Sequence, residues 1–133
     1  MKKYSKDREA IAKLSPEQYR VTQESYTERP GTGAYLRTKD PGIYVDVVSG
    51  EPLFASVSKF DSHTGWPSFF QPLPDAVATS TDYVLLFPRT EVHCRRCGGH
   101  LGHVFDDGPK PTGLRYCIDG FALVFKPAAA QAS

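Results

Sequence analysis

A cysteine at position 117 has an arginine two residues before it and an aspartate two residues after it, in the run Arg115-Tyr116-Cys117-Ile118-Asp119. In a strand alternate side chains share a face, so Arg115, Cys117 and Asp119 point one way while Tyr116 and Ile118 point the other, toward apolar contacts. A guanidinium beside a thiol favours the thiolate, which is the nucleophilic form. Asp119 works against this if ionised, because a like charge raises the thiol pKa. A lone cysteine is commonly a small buried hydrophobe; the flanking charges point instead to thiol chemistry. Beyond Gly120 the residues Phe121, Leu123 and Phe125 fall on the parity of Cys117. Either Gly120 marks a bulge that changes the facing, or the far half of the strand is buried on both sides.

Just upstream, His100-Leu101-Gly102-His103 brings two imidazoles together, with Asp107 close by to orient a ring, and so supplies an acid/base set. The one tryptophan, Trp66, lies in Gly65-Trp66-Pro67-Ser68. It reads either as a core anchor or as an aromatic wall against which sulfur and methyl groups pack well. Cys94-Arg95-Arg96-Cys97 has the spacing of half a zinc knuckle. A closed zinc site usually needs four ligands, and no second C-x-x-C exists, although His93, His100 or Asp46 could complete a set. The same pair also reads as resolving thiols that react with an oxidised Cys117, or as two reduced thiols without a role.

These side chains must be held by a framework that the rest of the chain encodes. Ser15-Pro16-Glu17-Gln18 is a helix start, with a Ser cap, Pro in the first turn and Gln at the third helical position; the helix is expected to run to about Ser25. Glu28-Arg29-Pro30-Gly31-Thr32-Gly33 breaks it. Thereafter apolar runs at 42–48, 52–56, 83–87, 101–105 and 114–125 read as strands, with turns at Asp40-Pro41-Gly42 and Ser49-Gly50-Glu51-Pro52. Short strands after an N-terminal helix predict a mainly β, antiparallel fold, and 133 residues suffice for a single domain. The Ala-rich tail from 127 onward is expected to be loose.

Apolar residues at 40 % and charged residues at 23 % exclude disordered and fibrous classes. A net charge of +1 gives no field that would draw the chain to nucleic acid or to an anionic membrane. No apolar run follows Lys2-Lys3, so no secretory signal is expected. Three cysteines, an odd number, fit a reducing, cytoplasmic setting better than a disulfide framework.

Taken together, Lys59-Phe60-Asp61-Ser62, Gly65-Trp66-Pro67-Ser68-Phe69, His100-Leu101-Gly102-His103-Val104-Phe105, Asp107-Gly108-Pro109 and Arg115-Tyr116-Cys117-Ile118 resemble, in order, the signatures of the methionine-R-sulfoxide reductase (MsrB) family. The resemblance covers about 15–125. It implies two antiparallel sheets with short N-terminal helices, a catalytic Cys117, and a site that includes Trp66, His100, His103, Asp107, Arg115 and Asp119. The implied reaction takes the oxygen from methionine-R-sulfoxide and leaves a sulfenic acid on Cys117, which thioredoxin or another thiol such as glutathione regenerates. No cofactor is required. The division of the two reductases by sulfoxide epimer is a general principle of the chemistry and was not read from these residues.

Three positions depart from the family pattern. Asp119 stands where relatives usually have Asn. Thr64 stands where many carry a recycling Cys. Asp46 and Ser49 stand where zinc-containing relatives have a first C-x-x-C, which weakens the zinc reading at Cys94 and Cys97. The rival expectation is a zinc-binding interaction module built on Cys94 and Cys97, but it leaves the shared face of Arg115, Cys117 and Asp119 unexplained.

Overall fold

The computed structural model describes residues 7–31, 35–83 and 88–128. Two helices open the chain. Helix α1 (Arg8–Ala12) is a further short N-terminal helix, as the resemblance implied, although no residues were singled out for it; the Asp7 carboxylate starts it by accepting from the Glu9 N–H at 3.0 Å. Helix α2 (Pro16–Glu24) begins at the expected capping box: the Ser15 hydroxyl accepts from the Gln18 N–H, and the Gln18 side chain accepts from the Ser15 N–H. It ends at Ser25, which takes a left-handed conformation.

Among the described residues nine strands follow: β1 (Gly42–Asp46), β2 (Pro52–Ala55), β3 (Lys59–Phe60), β4 (Ser68–Phe69), β5 (Val77–Asp82), β6 (Arg89–Cys94), β7 (His100–Phe105), β8 (Arg115–Ile118) and β9 (Leu123–Pro127). They form two antiparallel sheets, one in the order β2-β1-β9 and one in the order β3-β4-β8-β7-β6-β5. Phe54 from the small sheet stacks on Phe69 from the large one with ring centroids 4.4 Å apart, and Tyr44 meets Phe69 edge-on. Leu53, Leu101, Ile118, Leu123, Val92 and Val21 of α2 complete the core between them. Two antiparallel sheets with short N-terminal helices are thus as expected.

The expected single strand over 114–125 is two strands. β8 stops at Ile118, and a 3-10 turn (Gly120–Ala122) carries the chain out of the large sheet and into the small one as β9. That change of sheet explains why Phe121, Leu123 and Phe125 share the parity of Cys117 without sharing its face. Strands β5 and β6 were not anticipated. The expected strand over 83–87 largely lies outside the described residues, as do Thr32 and Gly33 and the tail from 129. Among the described residues no helix is long and apolar enough to cross a membrane.

Candidate active site

Antiparallel register lines up one row of side chains across the large sheet. Ser68 of β4 faces Cys117 of β8, Cys117 faces His103 of β7, and His103 faces Glu91 of β6. Directly opposed residues point to the same side of a sheet, with Cβ atoms roughly 4.5 to 5.5 Å apart. Tyr116 and Ile118 turn the other way, Tyr116 toward Phe54 and Ile118 into the core, so the expected facing of the cysteine strand holds. The close pairing of β7 with β8 depends on Gly102: a Cβ there would lie 2.0 Å from the Cys117 carbonyl oxygen.

The row opens into a cavity of about 250 Å³ whose lining includes Trp66, His103, Arg115, Cys117 and Asp119. Trp66 follows Gly65, which has a positive φ of 91° that only glycine adopts readily. The indole N–H donates to the Glu28 carbonyl at 3.0 Å and fixes the ring as one wall.

Cys117 is half-buried, and desolvation pushes its thiol up to about 11. The Arg115 charge and a hydrogen bond with Thr64 oppose this, while Asp119 and Glu28 add to it. Cys117 is therefore a thiol at neutral pH, and its use as a nucleophile would require a group that removes its proton. Arg115 is clamped by Asp107 through Nε–Oδ1 at 2.8 Å and NH2–Oδ2 at 3.1 Å, and its guanidinium lies 4.5 Å over the Phe105 ring. Asp107 is 61 % exposed and acts through Arg115.

The two histidines have different surroundings. His103 contacts Asp82 Oδ2 through Nε2 at 2.8 Å, and Arg89 binds that same oxygen at 3.1 Å. Burial lowers the His103 pKa; Asp82 resists, but the Arg89 and His100 charges add to the fall. His100 is 2 % exposed and lies between two carboxyls, Glu91 at 2.5 Å from Nδ1 and Asp119 at 3.4 Å from Nε2. Burial lowers its pKa, yet Asp119 and Glu91 together outweigh burial and the net shift is upward. The surroundings favour the neutral form of the imidazole inside the cavity and the charged form of the one behind it, an environment-driven split of the kind that separates acid from base roles.

Behind Asp119 stands Glu28, which sequence reading had used only as part of a helix break. Its N–H donates to Asp119 Oδ1 at 3.1 Å, and its Oε1 accepts from the Phe121 N–H at 3.0 Å. Burial, first, and the neighbouring Asp119 charge raise its pKa to about 7 against the pull of the Phe121 and Gly120 N–H groups. Asp82, Arg89 and Glu91 were missed because β5 and β6 were missed.

Cys94 and Cys97 are not brought to Cys117. Cys94 lies three residues along β6 from Glu91 and, by alternation, on the other face of the sheet. It sits two strand spacings, roughly 10 Å, across from β8 and about 10 Å along. The expectation of a resolving thiol there is therefore corrected, because a disulfide needs Cα atoms within about 7 Å. The pair instead meets the turn after β1. Cys97 Sγ donates to Asp46 at 3.0 Å and Cys94 Sγ to Glu51 at 3.3 Å, and Ser49 lies 3.6 Å from Cys94 Sγ. Ligand atoms of Asp46, Cys94 and Cys97 lie within 4.8 Å of one another, a donor set that fits zinc, with Glu51 beside it.

A model of the SelR domain matches residues 14–127. The chain belongs to the SelR-domain family. Among its relatives, the Agrobacterium fabrum peptide methionine sulfoxide reductase MsrB is 53 % identical over 115 residues, covering 86 % of this chain and 85 % of that protein. The Hahella chejuensis MsrB is 50 % identical over 127 residues, covering 95 % and 91 %. A Vibrio cholerae protein named peptide methionine sulfoxide reductase MsrA/MsrB is 53 % identical over 128 residues; the SelR-family chain spans 34 % of its length. Family membership accounts for the ordered motifs around Trp66, His103 and Cys117.

Proposed function

We propose that the chain is a peptide-methionine (R)-S-oxide reductase whose nucleophile is Cys117. The observation that carries this reading is a single half-buried thiol that shares a cavity with an indole wall, a clamped guanidinium and an imidazole whose pKa burial lowers. The Trp66 face suits an S-methyl group. A sulfoxide sulfur becomes a good electrophile only when its oxygen is protonated, so one proton must move from Cys117 to that oxygen.

His103 is the group suited to move it. If the ionised Asp82 carboxylate accepts from Nε2–H, the lone pair on Nδ1 is free to take the thiol proton. The imidazolium then protonates the sulfoxide oxygen as the Cys117 thiolate attacks sulfur, beside the Arg115 charge. The hydroxyl oxygen then passes to the Cys117 sulfur as the S–O bond and the newly formed S–S bond both break, which gives methionine and a Cys117 sulfenic acid. His100 acts from behind the cavity, through Asp119, and Asp107 acts by positioning Arg115.

Regeneration requires an external thiol, because no second cysteine stands near Cys117. A first thiol displaces the sulfenic oxygen as water and forms a mixed disulfide; a second releases Cys117. Thioredoxin, or a small thiol such as glutathione, fits that chemistry, and a reducing cytoplasm is the proposed setting. Zinc is not needed by any step. Asp46, Cys94, Cys97 and Glu51 would hold it, where it would supply only a brace between β1 and β6.

The deciding experiment is a single-turnover assay on reduced protein with the R and S sulfoxides offered separately, followed by mass analysis of Cys117. Consumption of the R epimer alone with one oxygen added at Cys117 supports the reading. Consumption of neither epimer rejects it.

A further inference from the structure

We propose that Asp119, His100 and Glu91 form a back-door proton relay that carries protons from solvent to Cys117 during regeneration. The proposal rests on the reductase reading. Each link is a contact between buried or nearly buried groups. Asp119 lines the cavity beside Cys117 and is 3 % exposed. Its Oδ2 lies 3.4 Å from His100 Nε2, a buried ring atom that makes no hydrogen bond in this structure, so the link is an ion-pair contact that a small turn of either side chain would close. His100 Nδ1 lies 2.5 Å from Glu91 Oε2. The same Glu91 oxygen meets the exposed Ser25 hydroxyl at 3.4 Å and His93 Nε2 at 3.6 Å, and the His93 side chain is 26 % exposed. The row thus runs from the cavity to the surface near the end of α2.

Proton accounting gives such a row a task. In the first half-reaction the proton that leaves the Cys117 thiol ends on the sulfenic acid, so nothing is drawn from solvent. Regeneration by reductants that attack as thiolates is different. The first thiolate forms an S–S bond to Cys117 and expels hydroxide, which takes up one proton to leave as water. The second thiolate breaks that bond, and the departing Cys117 thiolate takes up another proton to return to its resting form. Two protons per cycle must therefore enter the cavity while a reductant lies across its mouth. The other imidazole is poorly placed to supply them, since its partner Asp82 is bound to the Arg89 cation.

The charged neighbours along the row fit the role. His100 faces Asp119, Glu91, His93 and, at 5.6 Å between ring centroids, His103; Asp119 also faces Glu28 and Cys117. Two carboxyls favour a proton on His100, and the relay has either take it in turn. An asparagine at 119 could not.

The test compares the two half-reactions in Glu91→Gln, Glu91→Asp and Asp119→Asn, using dithiothreitol as the reductant. Glu91→Gln is expected to slow reduction of the Cys117 sulfenic acid by about tenfold or more, and by a much larger factor than it slows the first turnover. Removing one anion beside His100 should also move the alkaline fall of that rate to lower pH. Glu91→Asp should restore much of the loss, and Asp119→Asn should reproduce it. Equal slowing of both half-reactions, or no slowing of regeneration in either neutral variant, overturns the relay. If the unaltered protein consumes no sulfoxide, the reductase reading fails, and the relay fails with it.

Discussion

At the scale of single residues, the site is a contest over one proton on Cys117. Burial favours the thiol and sets its pKa at about 11, and Arg115 is the charge that opposes this most. Arg115→Met is therefore expected to raise the thiol pKa further, and Asp107→Ala, by freeing the guanidinium, to do so to a smaller degree. Iodoacetamide alkylation of Cys117 followed against pH would report both; an unchanged profile in Arg115→Met would remove Arg115 from this role. Cys117→Ser should abolish turnover, whereas Cys94→Ser and Cys97→Ser should each retain one stoichiometric equivalent of methionine formed. Loss of that equivalent in either variant, with folding intact, would mean that the cluster beside Asp46 supports the cavity. The sequence exposed Cys117, Arg115 and Asp119 because a strand's alternation is local. It could not expose Glu28, whose importance comes from one backbone N–H, one carbonyl and one carboxyl oxygen that tie its loop to Trp66 and to the turn at 119–121.

At the scale of elements, the cavity is a product of register. β8 lies between β4 and β7, and both of its edges are used. Gly102 permits the approach on the β7 side, and Gly102→Ala should cost about 2 kcal/mol or more, since backbone is the obstacle and cannot rotate away. Urea unfolding would measure it, and a cost near zero would show that β7 can shift without loss. Strands β1, β2, β7 and β8 were readable because apolar side chains recur along them. β5, Val77–Asp82, and β6, Arg89–Cys94, were not: both are dominated by polar residues, and β5 is an edge strand whose middle is exposed. They are strands because β6 hydrogen-bonds to β7 and β5 to β6, a long-range pairing that no local pattern announces. Half of the acid/base machinery, Asp82, Arg89 and Glu91, was lost to sequence reading with them.

At the scale of the whole molecule, the buried carboxyls tie stability to pH. Glu28 has a folded-state pKa of about 7 against an ordinary value of 4.5. Below pH 4.5 both states hold the proton and its full contribution is present. As pH rises toward 7 the unfolded chain releases that proton while the folded chain retains it, so stability falls and then levels off. The decline should be on the order of 1 to 3 kcal/mol, and Glu28→Gln should flatten it. Denaturation midpoints at pH 5 and pH 8 would decide, and an equal decline in the variant would place the effect elsewhere. The large sheet also holds Cys94 and Cys117 on its opposite faces. An oxidised Cys117 therefore has no partner thiol to shelter it, and Thr64 offers only a hydroxyl. If supply of reductant lags behind supply of oxidant, a second oxygen can add to the sulfenic acid and the loss is permanent. Such a catalyst has a finite lifetime counted in turnovers, set by the competition between the next thiol and the next oxidant to reach one sulfur.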